Sequence, residues 1–255
     1  MRPLGNGNLL IGVEDIYSDK FNASYPVDNR KNNPRNANLP IGGHQNAIHE
    51  NGVPRAAWHS RGYLPHFESS DVTQHVTFHL ADSLPQTVLL RWEAELKTLP
   101  TEKRDVERRK RVDAWIDAGH GSCVLRKPAI AAIVQGSLLS FDSQRYRLLA
   151  WVVMPNHVHA LFQPMDGWTV AKIVASWKKF TARKICDDRR LSGDGPSAPI
   201  WHREYWDRYV RDQNHLQQAI DYIHLNPVMA GLVVTAESWH WSSAHPGNAN
   251  LPIGG

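Results

Sequence analysis

Apolar positions recur at strand-like and helix-like intervals along the chain from about residue 58 onward. Residues 74–80 alternate polar and apolar side chains, which predicts a half-buried strand. Apolar residues at helical spacing predict a helix over 84–98, and a strongly charged helix follows from 101 to 116. A third helix is expected to begin at Pro128, because proline suits the first turn of a helix.

A predicted β-hairpin comes next. Residues 146–154 are a continuous apolar run, and a short Pro-Asn connection separates them from a second β-rich run over 157–162. Continuous apolar runs are typical of strands that are buried on both faces. The pattern therefore predicts two central strands joined by a tight turn.

Two helices and a strand are predicted after the hairpin. A basic amphipathic helix spans 168–185, and a strand rich in aromatic residues spans 201–210. Asp212 is a good N-cap for a last helix. We expect that helix to end before Pro227, because the residue preceding a proline disfavours the helical conformation. Strands and helices thus fill residues 56–247, which we interpret as the folded domain.

The ends of the chain have a different character. The first 51 residues hold ten asparagines with scattered Gly and Pro, and they lack strand or helix periodicity. We expect residues 1–55 to be a disordered extension, because they bury too little apolar surface to fold; a structured arm packed on the body is the alternative. The heptapeptide at 37–43 returns at 249–255. Residues 248–255 are therefore interpreted as a repeat-derived tail.

Composition excludes several classes of protein. The 29 Lys and Arg against 25 Asp and Glu give a formal net charge of +4, which permits a nucleic-acid partner without requiring one. No run of 18 apolar residues occurs, so no transmembrane helix is predicted, and the N-terminus lacks the apolar core of a secretory signal. Cys123 and Cys186 are too few for a disulfide framework. A cytoplasmic location is the expectation.

Two histidines alternate with apolar residues on the second strand of the hairpin. Side chains at positions i and i+2 of a strand project from the same face, about 7 Å apart, so His157 and His159 can converge on one cation. A hydrogen-bonded or solvated pair is the alternative, because a chain with 14 histidines contains such spacings by chance.

A tyrosine and an amide share one flank of the last helix. Tyr222 and Asn226 are four residues apart, so they project in nearly the same direction from a helix. They can therefore face one site. The alternative is that Tyr222 lies at the boundary of the apolar stripe, with its hydroxyl in water.

Taken together, these features resemble a known family. The element order and motifs are similar to those of the single-tyrosine HUH transposases, and within them to the group associated with repetitive extragenic palindromes (REP). The resemblance covers about residues 62–246 in family order and spacing. The matching segments are VMPNHVHAL (153–161), SWKKFTA (176–182), WHREYWDR (201–208), YIHLNPVMAGL (222–232) and WHWSSA (239–244).

The resemblance implies a fold, an activity and a set of residue roles. The implied fold is α+β, a ferredoxin-like antiparallel sheet with helices on one face, of the HUH nuclease type. The implied activity is metal-dependent cleavage and rejoining of single-stranded DNA next to a hairpin, through a 5′-phosphotyrosine intermediate. Tyr222 takes the role of the nucleophile, and His157, His159 and Asn226 take those of metal ligands. Asn226 stands where many relatives have glutamine.

The chemistry of such a reaction suits these residue types. A divalent cation neutralises the phosphate charge that repels a nucleophile, and a phenol with a pKa near 10 needs activation at neutral pH. Two imidazoles favour zinc or a late transition metal, whereas amide and phosphate oxygens favour Mg²⁺ or Mn²⁺. The family uses Mg²⁺ or Mn²⁺, and these are the predicted cofactors.

The expected partner is single-stranded DNA with hairpin or palindromic structure, in the nucleoid. A homodimer that places the tyrosine helix in trans is compatible with the pattern of that helix. Trp201, Trp206 and Trp241 are candidates for base stacking, with burial in the core as the alternative. The basic residues expected to contact phosphates are Lys178, Lys179, Arg183, Lys184, Arg203 and Arg208.

Alternatives remain for the nucleophile and for the function. Tyr63, Tyr205 and Tyr209 are rival nucleophiles, although the last two fall in the strand predicted over 201–210. A non-cutting protein that binds hairpins in chromosomal palindromic repeats is the second candidate function. A metal-dependent phosphodiesterase that uses water instead of tyrosine is the third.

Overall fold

The computed structural model describes residues 57–60, 65–68, 72–191 and 199–248. The extension predicted over 1–55 and both copies of the heptapeptide lie outside the described residues. The division of the chain into extension, domain and tail therefore stays a prediction.

The centre of the described fold is a four-stranded antiparallel sheet. A separate hairpin of β1 (Ala57–Ser60) and β2 (Pro65–Glu68) precedes it. The strands of the sheet are β3 (Gln74–His79), β4 (Tyr146–Val153), β5 (His157–Pro164) and β6 (Trp206–Tyr209), in the spatial order β4-β5-β3-β6. The predicted strand over 74–80 and the predicted central hairpin are confirmed. The strand predicted over 201–210 is shorter than expected, because Trp201 makes only an isolated bridge to Leu80.

Helices pack around this sheet. Those described are α1 (Gln86–Leu96), α2 (Thr101–Asp117), α3 (Pro128–Leu139), α4 (Val170–Leu191) and α5 (Gln213–Met229). Pro128 begins α3, as predicted. Asp212 caps α5 by accepting a hydrogen bond from the backbone N–H of His215 at 2.8 Å, also as predicted.

The predicted end of α5 was wrong. The helix continues through Pro227 to Met229. Asn226 and Pro227 are both buried, and the N–H groups of Ala230 and Gly231 close the last turn on backbone carbonyls within it. Packing of this turn against the body therefore outweighs the local preference of the residue before proline.

The two faces of the sheet are covered by different helices. One face carries the main core, where side chains of β3, β4 and β5 pack against α3 and α4. On the other face, Ala150, Val152 and Leu161 pack against Ala219 and Ile223 of α5. The α+β class and the antiparallel sheet are confirmed. Helices α3 and α4 lie together on one face, as the resemblance implied, and α5 adds a cover on the opposite face.

The segment over residues 239–248, here called the C-terminal segment, lies along the free edge of β4. Ser242 forms an antiparallel bridge with Val152. The N–H of Val153 donates to the carbonyl of Trp241, and the N–H of Ser243 donates to that of Trp151. The hydroxyl of Ser243 also lies 2.8 Å from Nε2 of His224 on α5. The segment thus joins the edge of the sheet to the helix that carries Tyr222.

The described residues contain neither a disulfide nor a helix that could span a membrane. Cys123 and Cys186 form no disulfide in this part of the chain. None of the described helices combines the length and the apolar character needed to cross a membrane.

Candidate metal and nucleophile site

One face of β3 and β5 carries a cluster of polar side chains. Strand alternation places His157 and His159 on the side of α5, away from the main core. In the register of the sheet, His79 pairs with His157 and Thr77 pairs with His159. Both predicted metal-ligating histidines are buried, so the solvated alternative for this pair is excluded.

The two imidazoles approach each other closely. Their Nε2 atoms are 3.1 Å apart, and the rings meet edge to face with centroids 4.7 Å apart. Two adjacent ligands of an octahedral cation, each about 2.1 Å from it, are separated by about 3.0 Å. The spacing of the nitrogens therefore suits two ligands of one ion.

Hydrogen bonds determine the tautomer of His157. The amide nitrogen of Asn156 donates to the carbonyls of Ile116 and His120 at 2.9 and 3.0 Å, so its oxygen faces Nδ1 of His157 at 2.8 Å. An amide oxygen only accepts hydrogen bonds, so Nδ1 carries the proton. Nε2 then presents a lone pair, which is the arrangement found in metal-binding histidines.

The hydrogen bonds of His159 are compatible with the same tautomer. Its Nδ1 lies 2.8 Å from the hydroxyl of Thr77 and 3.2 Å from Nε2 of His75. A proton on Nδ1, donated to Thr77, leaves the lone pair of Nε2 directed at His157.

Burial keeps both histidines neutral. It lowers the pKa of His157 well below the ordinary 6.5, and His159 beside it lowers that pKa further. Burial and the neighbouring His75 act in the same direction on the pKa of His159. Neutral imidazoles are what a metal ion requires of histidine ligands.

The side-chain amide of Asn226 lies at the same place. Its Nδ2 lies 3.4 Å from Nε2 of His159, and its Oδ1 is buried without a hydrogen-bond partner among the described residues. A buried acceptor left without a partner costs about 1–3 kcal/mol. A 180° turn of the amide exchanges its nitrogen and oxygen, and a cation between the turned amide and the two imidazoles would satisfy the oxygen, so these residues fit such an ion.

Helix α5 presents Tyr222 to the same cluster. The phenol ring packs edge to face on His159, with centroids 5.2 Å apart, and against His75 at 5.8 Å. Its hydroxyl lies 3.5 Å from Oδ2 of Asp117. The prediction that Tyr222 and Asn226 share one flank of the helix and face one site is therefore confirmed.

Sequence reasoning missed several residues of this cluster. Asp117, at the end of α2, places Oδ1 3.5 Å from Nε2 of His157, and the candidate ligand atoms of Asp117, His157 and His159 lie within 4.8 Å of one another. The alternation of β3 could have indicated His75 and Thr77, since they share a face of that strand. No local pattern points to Asp117, which reaches the site from a helix 40 residues before the histidines.

The predicted DNA-contacting residues are spread over the molecule. Lys179, Arg183 and Lys184 are exposed on α4, which covers the face of the sheet opposite the histidines. Arg203 is exposed and lies 3.8 Å from Glu204. Arg208 pairs with His75 in the sheet and is therefore beside the site.

Lys178 has a different environment from its neighbours on α4. Its ammonium donates hydrogen bonds to the carbonyls of His202 and Arg203 at 2.7 and 2.8 Å. Burial lowers the pKa of Lys178 to about 8. The ammonium of Lys178 thus stabilises the loop before β6 and is engaged within the fold, contrary to the predicted role as a phosphate contact.

The predicted stacking residues and rival nucleophiles lie mostly within the fold. Trp201 is buried in the main core, so the alternative of burial is confirmed for it. Trp206 and Trp241 are partly buried against core clusters. Tyr205 is buried and Tyr209 is half-buried, whereas Tyr63 lies outside the described residues.

Comparisons with known proteins match the same part of the chain. Residues 133–226 match the family model described as Transposase IS200 like. A protein of Haemophilus influenzae named as a REP-associated tyrosine transposase is 30% identical over 105 residues, which are 39% of this chain and 60% of that protein. The REP-associated tyrosine transposase of Escherichia coli is 27% identical over 107 residues, which are 39% of this chain and 55% of that protein. The chain therefore aligns with less than two thirds of the length of either relative.

One solved structure is similar over a larger part of the chain. It is described as a REP-associated tyrosine transposase bound to a REP hairpin, is 18% identical, and covers 75% of this chain and 85% of its own with a TM-score of 0.43. The matched residues 133–226 include His157, His159, Tyr222 and Asn226. The family model and the two relatives confirm the resemblance to the REP-associated tyrosine transposases that the motifs indicated.

Proposed function

We propose that this protein is a divalent-cation-dependent, single-stranded DNA endonuclease and strand transferase that acts next to DNA hairpins. One observation carries the proposal. Two imidazole nitrogens 3.1 Å apart, a buried amide whose oxygen has no partner among the described residues, and a tyrosine ring meet on one face of the sheet. This set combines the ligands for a cation with a nucleophile, and residues 133–226 match a transposase family.

The residues divide the chemistry between them. His157, His159 and Asn226 would hold Mg²⁺ or Mn²⁺, which when bound neutralises charge on the scissile phosphate. The Tyr222 oxygen attacks the phosphorus, a bond from oxygen to phosphorus forms, and the bond from phosphorus to the 3′ oxygen breaks. The phenolic proton is lost to solvent, and the departing 3′ oxygen takes up a proton to become a hydroxyl. The product is a 5′-phosphotyrosine link, which a 3′ hydroxyl attacks in the reverse sense to rejoin a strand.

The proposed substrate is single-stranded DNA with palindromic hairpins, such as chromosomal REP sequences. The REP-associated names of the two relatives support this choice. Arg208 beside the site and the exposed cations of α4 supply charge for phosphate contacts. Such a substrate would bring the protein to the nucleoid.

The proposed site is complete within one chain. The hydroxyl of Tyr222 contacts Asp117 of the same chain, and its ring contacts His159. A homodimer therefore stays a prediction on which the proposed chemistry does not depend.

A covalent adduct is the decisive test. A pool of single-stranded hairpins with randomised stems and flanks, labelled at either end, is incubated with the protein and Mn²⁺ and run on a denaturing gel. The 3′-labelled strand should migrate with the protein, and the 5′-labelled strand should be released as a shorter fragment. Tyr222→Phe should abolish both products, whereas the matched control Tyr209→Phe should retain them.

Other outcomes identify the alternatives. Hydrolysis without an adduct would favour a phosphodiesterase that uses water. Binding of hairpins with no cleavage by the wild-type protein would favour the non-cutting function. An adduct that persists in Tyr222→Phe would assign the nucleophile to another residue.

A further inference from the structure

We propose that Asp117 is an additional protein ligand of the cation held by His157 and His159, and that its carboxylate links this cation to Tyr222. The inference rests on the proposed function, and it extends the ligand set to a helix outside the matched residues 133–226. The carboxylate has one oxygen on each side: Oδ1 is 3.5 Å from Nε2 of His157, and Oδ2 is 3.5 Å from the hydroxyl of Tyr222.

The fold holds the end of α2 at this place. Asn156 donates to the carbonyls of Ile116 and His120, which flank Asp117 in the chain, and it accepts from His157. One amide therefore orients the imidazole of His157 and also holds the backbone from which Asp117 projects. The side chain of Asp117 is 21% exposed and that of His157 is 1% exposed. Asp117 thus approaches a buried imidazole from the solvent side, on a backbone that one buried and one partly buried hydrogen bond hold in place.

Charge gives the carboxylate its role. The predicted ligands His157, His159 and Asn226 are all neutral, and they are buried. Neutral ligands do not reduce the charge of a divalent ion, and a buried site offers it little water. The free energy of binding such an ion is therefore unfavourable unless an opposite charge is near. Asp117 supplies that charge, and two imidazoles with one carboxylate form a ligand set that suits a divalent ion with open positions for substrate oxygens.

The requirements of α2 do not explain an acidic residue at this position. Asp117 is the last residue of the helix, where the helix dipole is negative and an acidic side chain is unfavourable. The aspartate therefore lowers the stability of the helix. A role for Asp117 between the proposed metal ligand His157 and the proposed nucleophile Tyr222 explains why the residue is present despite this cost.

The test measures cation binding directly, without DNA or turnover. The affinity of the full chain for Mn²⁺ is determined by calorimetry and by the electron paramagnetic resonance signal of free Mn²⁺. Removal of groups that only orient metal ligands weakens binding by about 10–100-fold, so we expect Asp117→Asn to weaken it by at least about tenfold. Asp113→Asn, which removes a carboxylate one turn earlier on α2, serves as the control and should retain wild-type affinity.

A second variant and a second readout guard against a misfolded protein. Asp117→Ser should behave as Asp117→Asn does. Mn²⁺ should raise the unfolding temperature of the wild type and of Asp113→Asn more than that of either Asp117 variant. Wild-type affinity in both Asp117 variants would overturn this inference and leave the proposed function intact. A wild-type protein that binds no Mn²⁺ would overturn the inference together with the metal dependence of the proposed function.

Discussion

Asn156 and His157 are neighbours in sequence, yet the side chain of Asn156 links His157 to a different part of the fold. Its oxygen accepts a hydrogen bond from Nδ1 of His157, and its nitrogen donates hydrogen bonds to two carbonyls around the end of α2. The tautomer of His157, a predicted metal ligand, therefore depends on the position of a helix 40 residues earlier in the chain. Substitutions of such supporting residues should change the site as measurably as substitutions of its reacting groups.

Asn156→Ala should weaken Mn²⁺ binding by about 10–100-fold, because partners that orient metal ligands have effects of this size. The two carbonyls also lose their donor, which should lower the free energy of unfolding by about 1–3 kcal/mol. Calorimetry and urea denaturation measure the two effects. Asn248→Ala is the matched control, since the Asn248 amide likewise donates to two carbonyls but away from the site. It should lower stability and leave Mn²⁺ affinity unchanged; equal loss of affinity in both variants would contradict the role given to Asn156.

Ile223→Ala should affect stability and activity together. Ile223 lies on the side of α5 that packs against the sheet and is fully buried. Its truncation should lower the free energy of unfolding by about 2–5 kcal/mol. The cavity would also loosen the position of Tyr222, the preceding residue. Leu138→Ala removes an equally buried side chain from the opposite face of the sheet. Denaturation should show similar losses of stability in the two variants. Rates of adduct formation per folded molecule should fall more in Ile223→Ala, and the reverse order would contradict the prediction.

Acid should destabilise the fold below pH 6.5. Burial lowers the pKa of His79 to about 3, with the neighbouring His202 acting in the same direction, whereas histidine in the unfolded chain has a pKa near 6.5. Between these values the unfolded chain binds a proton that the folded chain does not, so the free energy of unfolding falls as pH falls from 6.5 towards 3. Each such histidine contributes up to about 1.4 kcal/mol per pH unit.

Urea denaturation between pH 7.5 and pH 5 measures this slope. His79→Asn should flatten it, and His240→Asn, at an exposed position, should leave it unchanged. A slope that His79→Asn does not alter would show that other groups cause the acid sensitivity.

Lys178 and Lys179 should respond differently to the same substitution. Lys178→Met removes the donor to two loop carbonyls and should lower the free energy of unfolding by about 1–3 kcal/mol. Lys179→Met alters an exposed position, so its stability should stay within about 0.5 kcal/mol of wild type. Salt titrations of hairpin binding give the second measurement, because each phosphate of a single strand that a lysine neutralises adds about 0.7 to the slope. An unchanged slope in Lys179→Met would remove Lys179 from the predicted DNA-binding residues.

Short-range patterns were sufficient for most of the strands and helices. The continuous apolar run of β4, the alternation of β3 and the cap at Asp212 each depend on neighbouring residues, and these predictions are confirmed. The end of α5 depends instead on packing of its last turn against the body, so the preference of the residue before Pro227 did not decide it.

In the site too, local spacing predicts some residues, whereas others depend on how distant elements pack. His157 with His159, and Tyr222 with Asn226, are pairs within one strand or one helix, so their spacing indicates a shared direction. The position of Asp117 depends on where α2 ends relative to β5, which no local spacing encodes. The role of Lys178 likewise depends on a loop that approaches α4 from 24 residues away.

The C-terminal segment also bears on how the chain avoids aggregation. β4 is an edge strand of eight mostly buried, largely apolar residues, and exposed apolar edges of this kind pair readily with other chains. Residues 241–243 occupy that edge with their own backbone hydrogen bonds. During synthesis, β4 leaves the ribosome nearly 90 residues before the segment that covers it. This edge of β4 is therefore without its cover for most of that interval, and nascent chains that stop short of Trp241 are the ones most exposed to strand pairing with one another.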